Sequence, residues 1–239
     1  MTKNIHTEID SDIAEQKKST VGRRTFLRSA GLAASVGAAM AACTLEDHPN
    51  PAENTVNLGE GDVGVLNYAY ALEQLEAAFY TMVVANFAPD FSEKEKAILI
   101  DIRDHEIIHR DFFKAALTAA APDKIIRGLT PDFSTIDFKT RAGVLGAAKL
   151  FENTGVAAYN GAGKLIKTAA YLVIAGQIVS VEARHASVIR DLLNPNSMDF
   201  AGDDVVDANG FDKAIAPATI LGAVQKYIKT KITGANVGK

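Results

Sequence analysis

The chain has 239 residues, and 29 acidic against 25 basic residues give it a net charge of −4. This acidic balance argues against a nucleic-acid-binding protein, which normally carries a basic patch. The single cysteine excludes an internal disulfide framework and any metal site built from several cysteines. A hydrophobic fraction of 48% excludes wholesale disorder, and no apolar run approaches the roughly 20 residues of a membrane-spanning helix.

Residues 1–42 are organised like an export signal. A polar leader precedes the pair Arg23 and Arg24, which is followed by an apolar pair and an uncharged run over residues 29–42. These 14 residues are too few to span a bilayer, but they suit the apolar region of a signal peptide. The segment resembles a twin-arginine (Tat) export signal. The alternative is an unstructured tail that carries a chance arginine pair.

The sole cysteine, Cys43, directly follows this run. The stretch from Met40 to Cys43 resembles a bacterial lipobox, although Met40 stands where leucine is usual. In a lipobox the cysteine receives a diacylglyceryl group and becomes the new N-terminus. The resemblance implies Tat export to the cell envelope or periplasm, attachment to the membrane through Cys43, and a tether over residues 43–59. The alternative is cleavage by signal peptidase I after Ala41, which leaves Cys43 an ordinary residue.

The chain from about residue 60 shows the period of amphipathic helices. The first helix follows from a stripe spaced 4, 3, 4 and 3 residues apart: Leu66, Tyr70, Glu73, Ala77 and Tyr80. A capping-box pattern from Ser92 to Glu95 predicts the start of the second helix. Similar stripes predict a third helix from about Phe138 and a fourth that ends near Leu192.

The connections between these helices predict their arrangement. Residues 122–138 contain two prolines and a glycine and are longer than a turn between adjacent antiparallel helices needs. Such a length suits a crossover along a bundle. The prediction is an all-α fold: a four-helix bundle over residues 60–194 with a crossover between helices 2 and 3. Residues 195–239 then form a loop and an extra C-terminal helix, at about residues 216–229, packed outside the bundle.

Each predicted helix places one glutamate on its apolar stripe: Glu73, Glu106, Glu152 and Glu182. Two helices add a histidine one turn later, in the pairs Glu106–His109 and Glu182–His185, and residues three apart share a helix face. A buried carboxylate is unfavourable unless it is paired or binds a metal. Two divalent cations would balance four carboxylates, so the pattern predicts a site for two metal ions.

The spacing of these residues repeats within the chain. Glu106 follows Glu73 by 33 residues, and Glu182 follows Glu152 by 30 residues. Each of the leading glutamates is also followed seven residues later by a tyrosine, Tyr80 or Tyr159. The pattern indicates a duplicated helix pair and a site with approximate two-fold symmetry.

These motifs resemble those of the ferritin-like superfamily of di-iron and di-manganese carboxylate proteins, which use two single glutamates and two Glu-x-x-His pairs. The resemblance implies that Glu73 and Glu152 are terminal ligands, and that the pairs Glu106–His109 and Glu182–His185 supply bridging carboxylates. It also implies that two tyrosines support the ligands: Tyr80 and Tyr159. Iron is the favoured metal and manganese the second candidate.

Further features of the sequence are open to more than one interpretation. The segment from Phe211 to Ile228 is similar to the tails of a ferritin-like family that includes plant desiccation-related proteins. Glu76, one turn after Glu73, is interpreted as part of a solvated flank rather than an outer carboxylate of the site. His105 either lines the site or is a boundary histidine. The loop acids Asp203, Asp204 and Asp207 are interpreted as a solvated turn rather than an ion site.

The predicted function is that of an exported metal-dependent protein that reacts with O2 or peroxide, as a ferroxidase, peroxidase or catalase-like oxidoreductase. The alternative is a non-enzymatic envelope or stress-protective bundle in which the metal is structural. A ferritin-type storage cage fits least, because a lipid anchor and a tether make a closed shell awkward. The expected partners are metal ions, O2 or peroxide, the membrane and a second copy in a homodimer.

Overall fold

The structure is a computed structural model, and it describes residues 54–239. The predicted export signal, Cys43 and most of the predicted tether over residues 43–59 lie outside the described residues. They stay predictions.

Within residues 54–239 the chain forms four long helices, α1 to α4, with these bounds: Gly61–Ala85, Glu93–Ala120, Arg141–Gly163 and Ala169–Leu193. Helix α1 packs along α2, and α3 packs along α4. The two hairpins meet through contacts of α1 with α3 and of α2 with α4. This arrangement confirms the predicted all-α four-helix bundle.

Local hydrogen bonds explain where two of the helices begin. The Ser92 hydroxyl accepts from the backbone N–H of Glu95, and the Glu95 carboxylate accepts from the Ser92 N–H at 2.9 Å, so the predicted capping box starts α2. At α3 the Thr140 hydroxyl accepts from the Gly143 N–H at 3.2 Å. Helix α3 therefore begins at Arg141, slightly later than its apolar pattern predicts, because the cap lies at Thr140.

The connection from α2 to α3 is a crossover whose middle is held by the C-terminal segment. The Asp132 N–H donates to the Tyr227 carbonyl at 2.6 Å, and the Lys229 N–H donates to the Thr130 carbonyl at 2.8 Å. Helix α5, Pro217–Val224, packs against α3 and continues into a 3-10 turn. The extra C-terminal helix is therefore shorter than the predicted 216–229.

The predicted all-α fold has no strand, yet the described residues include two short parallel strands, β1 (Thr55–Asn57) and β2 (Lys231–Thr233). Each strand alternates over only three residues, which is shorter than the roughly four to eight residues over which alternation identifies a strand. The pairing joins the start of the described chain to its C-terminal segment.

Of the described residues, only those of α4 form a helix long and apolar enough to cross a membrane, with a mean hydropathy of 1.3. Length and composition alone are weak evidence for a membrane span, and 28% of the residues in its most apolar stretch are buried within the structure. Helix α4 packs along α3 and carries Glu182 and His185 buried on its inward face.

Candidate metal centre

The four glutamates on the helix stripes meet in the middle of the bundle. Glu73 comes from α1, Glu106 from α2, Glu152 from α3 and Glu182 from α4, and each is 0% exposed. Within their helices these residues occupy the same faces as large apolar side chains, so burial of the faces carries the carboxylates inward.

The buried residues form two overlapping groups of potential metal ligands. One contains Glu73, Glu106, His109 and Glu182, and the other contains Glu106, Glu152, Glu182 and His185. In each group, one ligand atom per residue lies within 4.8 Å of all the others. Glu106 and Glu182 belong to both groups, which is the position that a carboxylate bridging two ions occupies.

The distances in the two groups match across an approximate two-fold axis. His109 Nδ1 lies 2.9 Å from Glu182 Oε1, and His185 Nδ1 lies 2.8 Å from Glu106 Oε1. The distances from His109 Nδ1 to Glu73 Oε2 and from His185 Nδ1 to Glu152 Oε2 are both 3.5 Å. The repeat that the sequence spacing indicated is therefore present in the geometry.

The two tyrosines cross between the hairpins. The Tyr80 hydroxyl on α1 donates to Glu152 Oε1 on α3 at 2.5 Å, and the Tyr159 hydroxyl on α3 donates to Glu73 Oε1 on α1. Each bond occupies one carboxylate oxygen and leaves the other, Oε2, facing the histidine. The tyrosines thus fix the orientation of the two single-helix carboxylates.

The remaining polar atoms fit a metal site. Among residues 54–239, the following buried atoms have no hydrogen-bond partner: Oε2 of Glu73 and Glu152, both carboxylate oxygens of Glu106 and Glu182, and Nδ1 of His109 and His185. The short histidine–glutamate distances bring these atoms together without the geometry of a hydrogen bond. Unsatisfied buried polar atoms are unfavourable, and cations between them would satisfy all of these atoms. Carboxylate and imidazole donors suit iron and manganese.

Neighbouring charges shift the pKa values of the clustered groups. Burial alone would lower the pKa of His185, but its contacts with Glu106 and Glu152 raise that pKa to about 11. Burial raises the pKa of the Glu73 carboxyl to about 7. Burial would also raise the pKa of Glu106, but contacts with His109 and His185 hold it at about 2. Protons and metal ions therefore compete for the same atoms.

The interpretation of Glu76 as a solvated residue is wrong. Glu76 is 3% exposed, and within residues 54–239 its Oε2 has no hydrogen-bond partner. A methyl group on Gly155, the residue that corresponds to Glu76 in the internal repeat, would lie 3.0 Å from Glu76 Oε1 and 3.5 Å from Glu182 Oε2. The glycine on α3 thus leaves room for a fifth carboxylate beside the four predicted ones.

His105 lies at the edge of the site and contacts one of the two histidines. Its Nδ1 is 2.9 Å from Nε2 of His185, and the two rings are stacked with centroids 5.2 Å apart. A bond to Nε2 orients the His185 ring so that Nδ1 faces the carboxylates. Val181 occupies the corresponding position in the second half and cannot form such a bond.

A buried arginine escaped the sequence analysis, but it lies outside the cluster. Arg190 is 1% exposed, and its guanidinium contacts Asp199 at 2.9 Å and also Asp204. Asp207 accepts hydrogen bonds from the backbone N–H groups of Asn209 and Phe211, both at 2.9 Å. These acids therefore organise the loop after α4.

The sequence profile of the ferritin-like domain matches residues 61–195, which is more than half of the chain. The chain therefore belongs to the ferritin-like domain family. No curated protein sequence matches the chain. The closer resemblance to plant desiccation-related proteins stays a prediction.

Proposed function

We propose that this ferritin-like protein is an exported oxidoreductase whose centre holds two metal ions, with iron favoured over manganese, and reacts with O2 or peroxide. The observation that carries the proposal is the sharing of Glu106 and Glu182 between two ligand groups. Shared carboxylates hold two ions close together, at about 3.5–4 Å in two-metal sites, and so permit a two-electron reaction at one place.

Two bound Fe(II) or Mn(II) ions would supply one electron each, so reduction of O2 to H2O2, or of H2O2 to two waters, would consume two electrons and two protons. The chain positions the groups around this reaction. Tyr80 and Tyr159 hold Glu152 and Glu73 through their hydroxyls. On the Tyr80 side, Phe79 packs against Tyr80 and Phe151 with ring centroids 5.0 Å apart in each case, which excludes water.

A structural role for the metal is the second candidate. Five buried glutamates beside two histidines disfavour the folded state unless cations compensate them. Metal binding to the folded chain alone would supply stabilising free energy, as an envelope or stress-protective bundle needs. Such a protein would melt at a higher temperature with metal and would show no turnover.

The two candidates differ in turnover. The full chain is loaded anaerobically with Fe(II), its metal content is measured by elemental analysis, and oxidation by O2 or H2O2 is followed by absorbance. The proposal expects two ions per chain and rapid oxidation in the wild type. Equal oxidation rates in the wild type and in His109→Gln/His185→Gln would contradict a catalytic centre. A lower melting temperature of that metal-loaded double variant would then favour the structural role.

Export to the cell envelope and lipid attachment are part of the proposal, and the twin-arginine pattern and the position of the sole cysteine support them. Replacing Arg23 and Arg24 with lysine should leave precursor in the cytoplasm. Cys43→Ala should release soluble mature protein or block processing, as cell fractionation and immunoblotting would show. Unchanged membrane association of Cys43→Ala would contradict the lipid anchor.

A further inference from the structure

An apolar cavity of about 80 Å³ lies between the four long helices, on the side of the bundle that contains Tyr159. Its walls include Leu72 from α1, Phe113 from α2, Ala162 from α3 and Ala175 from α4. Phe112, which is 39% exposed, also lines the cavity, so the cavity borders the protein surface near α2.

Tyr159 joins this cavity to the cluster of glutamates. Its ring lines the cavity, while its hydroxyl donates to Glu73. Two further wall residues, Leu72 and Phe113, lie next to ligands: Leu72 precedes Glu73 in the chain, and Phe113 lies one helical turn after His109. Through Tyr159 the cavity therefore borders the cluster of glutamates.

The size and chemistry of the cavity restrict what can occupy it. An apolar cavity of about 150 Å³ stays dry and binds benzene or xenon, so one of about 80 Å³ suits a smaller apolar molecule. Hydrogen peroxide would lose hydrogen bonds to water that apolar walls cannot replace. Dioxygen has no such bonds to lose.

We propose that this cavity is a binding site for dioxygen, from which O2 reaches the centre past Tyr159. The inference rests on the proposed function and assigns a path to one of its two oxidants. O2 passes through the cavity, and peroxide reaches the metal ions by another route. In the other half of the site, around Tyr80, the aromatic rings of Phe79 and Phe151 pack together instead.

The first test is direct and independent of turnover. Crystals of the full-length protein are pressurised with xenon, a probe for small apolar sites, and anomalous density is sought in the cavity. We expect a xenon peak between Phe113 and Ala175 in the wild type and its loss in Ala175→Leu, which adds three carbons to the wall. Absence of xenon from the wild-type cavity would overturn the proposal.

The second test compares the two oxidants. Ala175→Leu should lower the second-order rate constant for Fe(II) oxidation by O2 severalfold and leave the rate constant for H2O2 unchanged. Ala170→Leu is the matched control, because it makes the same change at an exposed position of α4 outside the cavity wall. Ala116→Leu fills the cavity from α2 and serves if Ala175→Leu does not fold, as circular dichroism would show.

Failure of this inference is distinguishable from failure of the proposed function. If the wild type oxidises Fe(II) with neither oxidant, the proposed function is wrong. If O2 oxidation is rapid but unaffected by both cavity-filling variants, only the cavity assignment is wrong. The O2 assignment is also wrong if Ala175→Leu slows oxidation by O2 and by H2O2 to the same extent. It is likewise wrong if the cavity binds a short alkane while Ala175→Leu leaves the O2 rate unchanged.

Discussion

The two helical hairpins, α1–α2 and α3–α4, contribute the same set of groups to the centre and differ in what surrounds it. Each hairpin supplies a single glutamate, a Glu-x-x-His pair and a tyrosine that bonds across to the other hairpin. The matched distances show that this set is symmetric. The proposed ligands are therefore symmetric, and any difference between the two proposed metal positions must come from the surrounding residues.

The residues around the proposed ligands do not follow this symmetry. Glu76 in the first half corresponds to Gly155 in the second, which makes room for it. His105 bonds to His185, while Val181 occupies the position that would serve His109. The apolar cavity lies on the Tyr159 side. These differences imply that the two proposed metal positions have unequal charge, ligand orientation and access.

Breaking the shared ligands should have the largest effect. Glu106→Ala and Glu182→Ala each remove a carboxylate that belongs to both groups, so binding of both ions should weaken. Calorimetric titration with Mn(II) should show the loss of the two-ion stoichiometry. Glu93→Ala is a matched control, since the Glu93 side chain is 90% exposed. Retention of two ions in both ligand variants would show that these carboxylates do not bridge.

Removing the histidines separately should distinguish the two metal positions. His109→Gln and His185→Gln should each weaken one ion, so the stoichiometry falls from two to one while the circular dichroism of the helices is retained. His105→Ala should weaken only the ion bound near His185, because His105 orients that ring. Equal weakening of both ions by His105→Ala would contradict the asymmetry.

Glu76→Gln should have opposite effects on the metal-free and metal-loaded protein. Burial and the nearby Glu182 raise the pKa of Glu76 well above its usual value. Protonated Glu76 therefore stabilises the fold fully below the pKa that it has in the unfolded chain. This stabilisation is lost as the pH rises through the folded-state pKa. Glu76→Gln should raise the free energy of unfolding of the metal-free chain, more so at pH 8 than at pH 5, by about 1–3 kcal/mol.

With metal bound, the same substitution should weaken binding, because it removes a negative charge beside Glu182. Urea unfolding of the metal-free chain and titration with Mn(II) check the two effects. Gly155→Ala is the companion variant, since its methyl group would press on the Glu76 carboxylate and leave the charge in place. If Glu76→Gln destabilises both states equally, Glu76 has a packing role only.

The tyrosine variants should have the smallest effect. Tyr80→Phe removes one hydrogen bond to Glu152, which should cost about 0.5–1.5 kcal/mol of stability. Tyr159→Phe removes the matching bond to Glu73. Thermal unfolding of both metal-loaded variants should show similar small losses. A large loss in one variant alone would show that the two bonds are not equivalent.

The sequence predicted that these glutamates and histidines cluster, because their positions follow local rules. Helical spacing places Glu106 and His109 on one face, and the repeat pairs them with their counterparts. The burial of Glu76 could not be read from its own helix, because it depends on the missing side chain of Gly155 on another helix. The His105–His185 contact depends on how α2 and α4 pack, and Arg190 is covered by a later loop.

The most direct test of the account is anomalous diffraction from crystals of the full-length protein loaded with Mn(II). The account predicts two peaks per chain, about 3.5–4 Å apart, with Glu106 and Glu182 contacting both. A single peak, or two distant peaks with no carboxylate in common, would contradict the dinuclear centre.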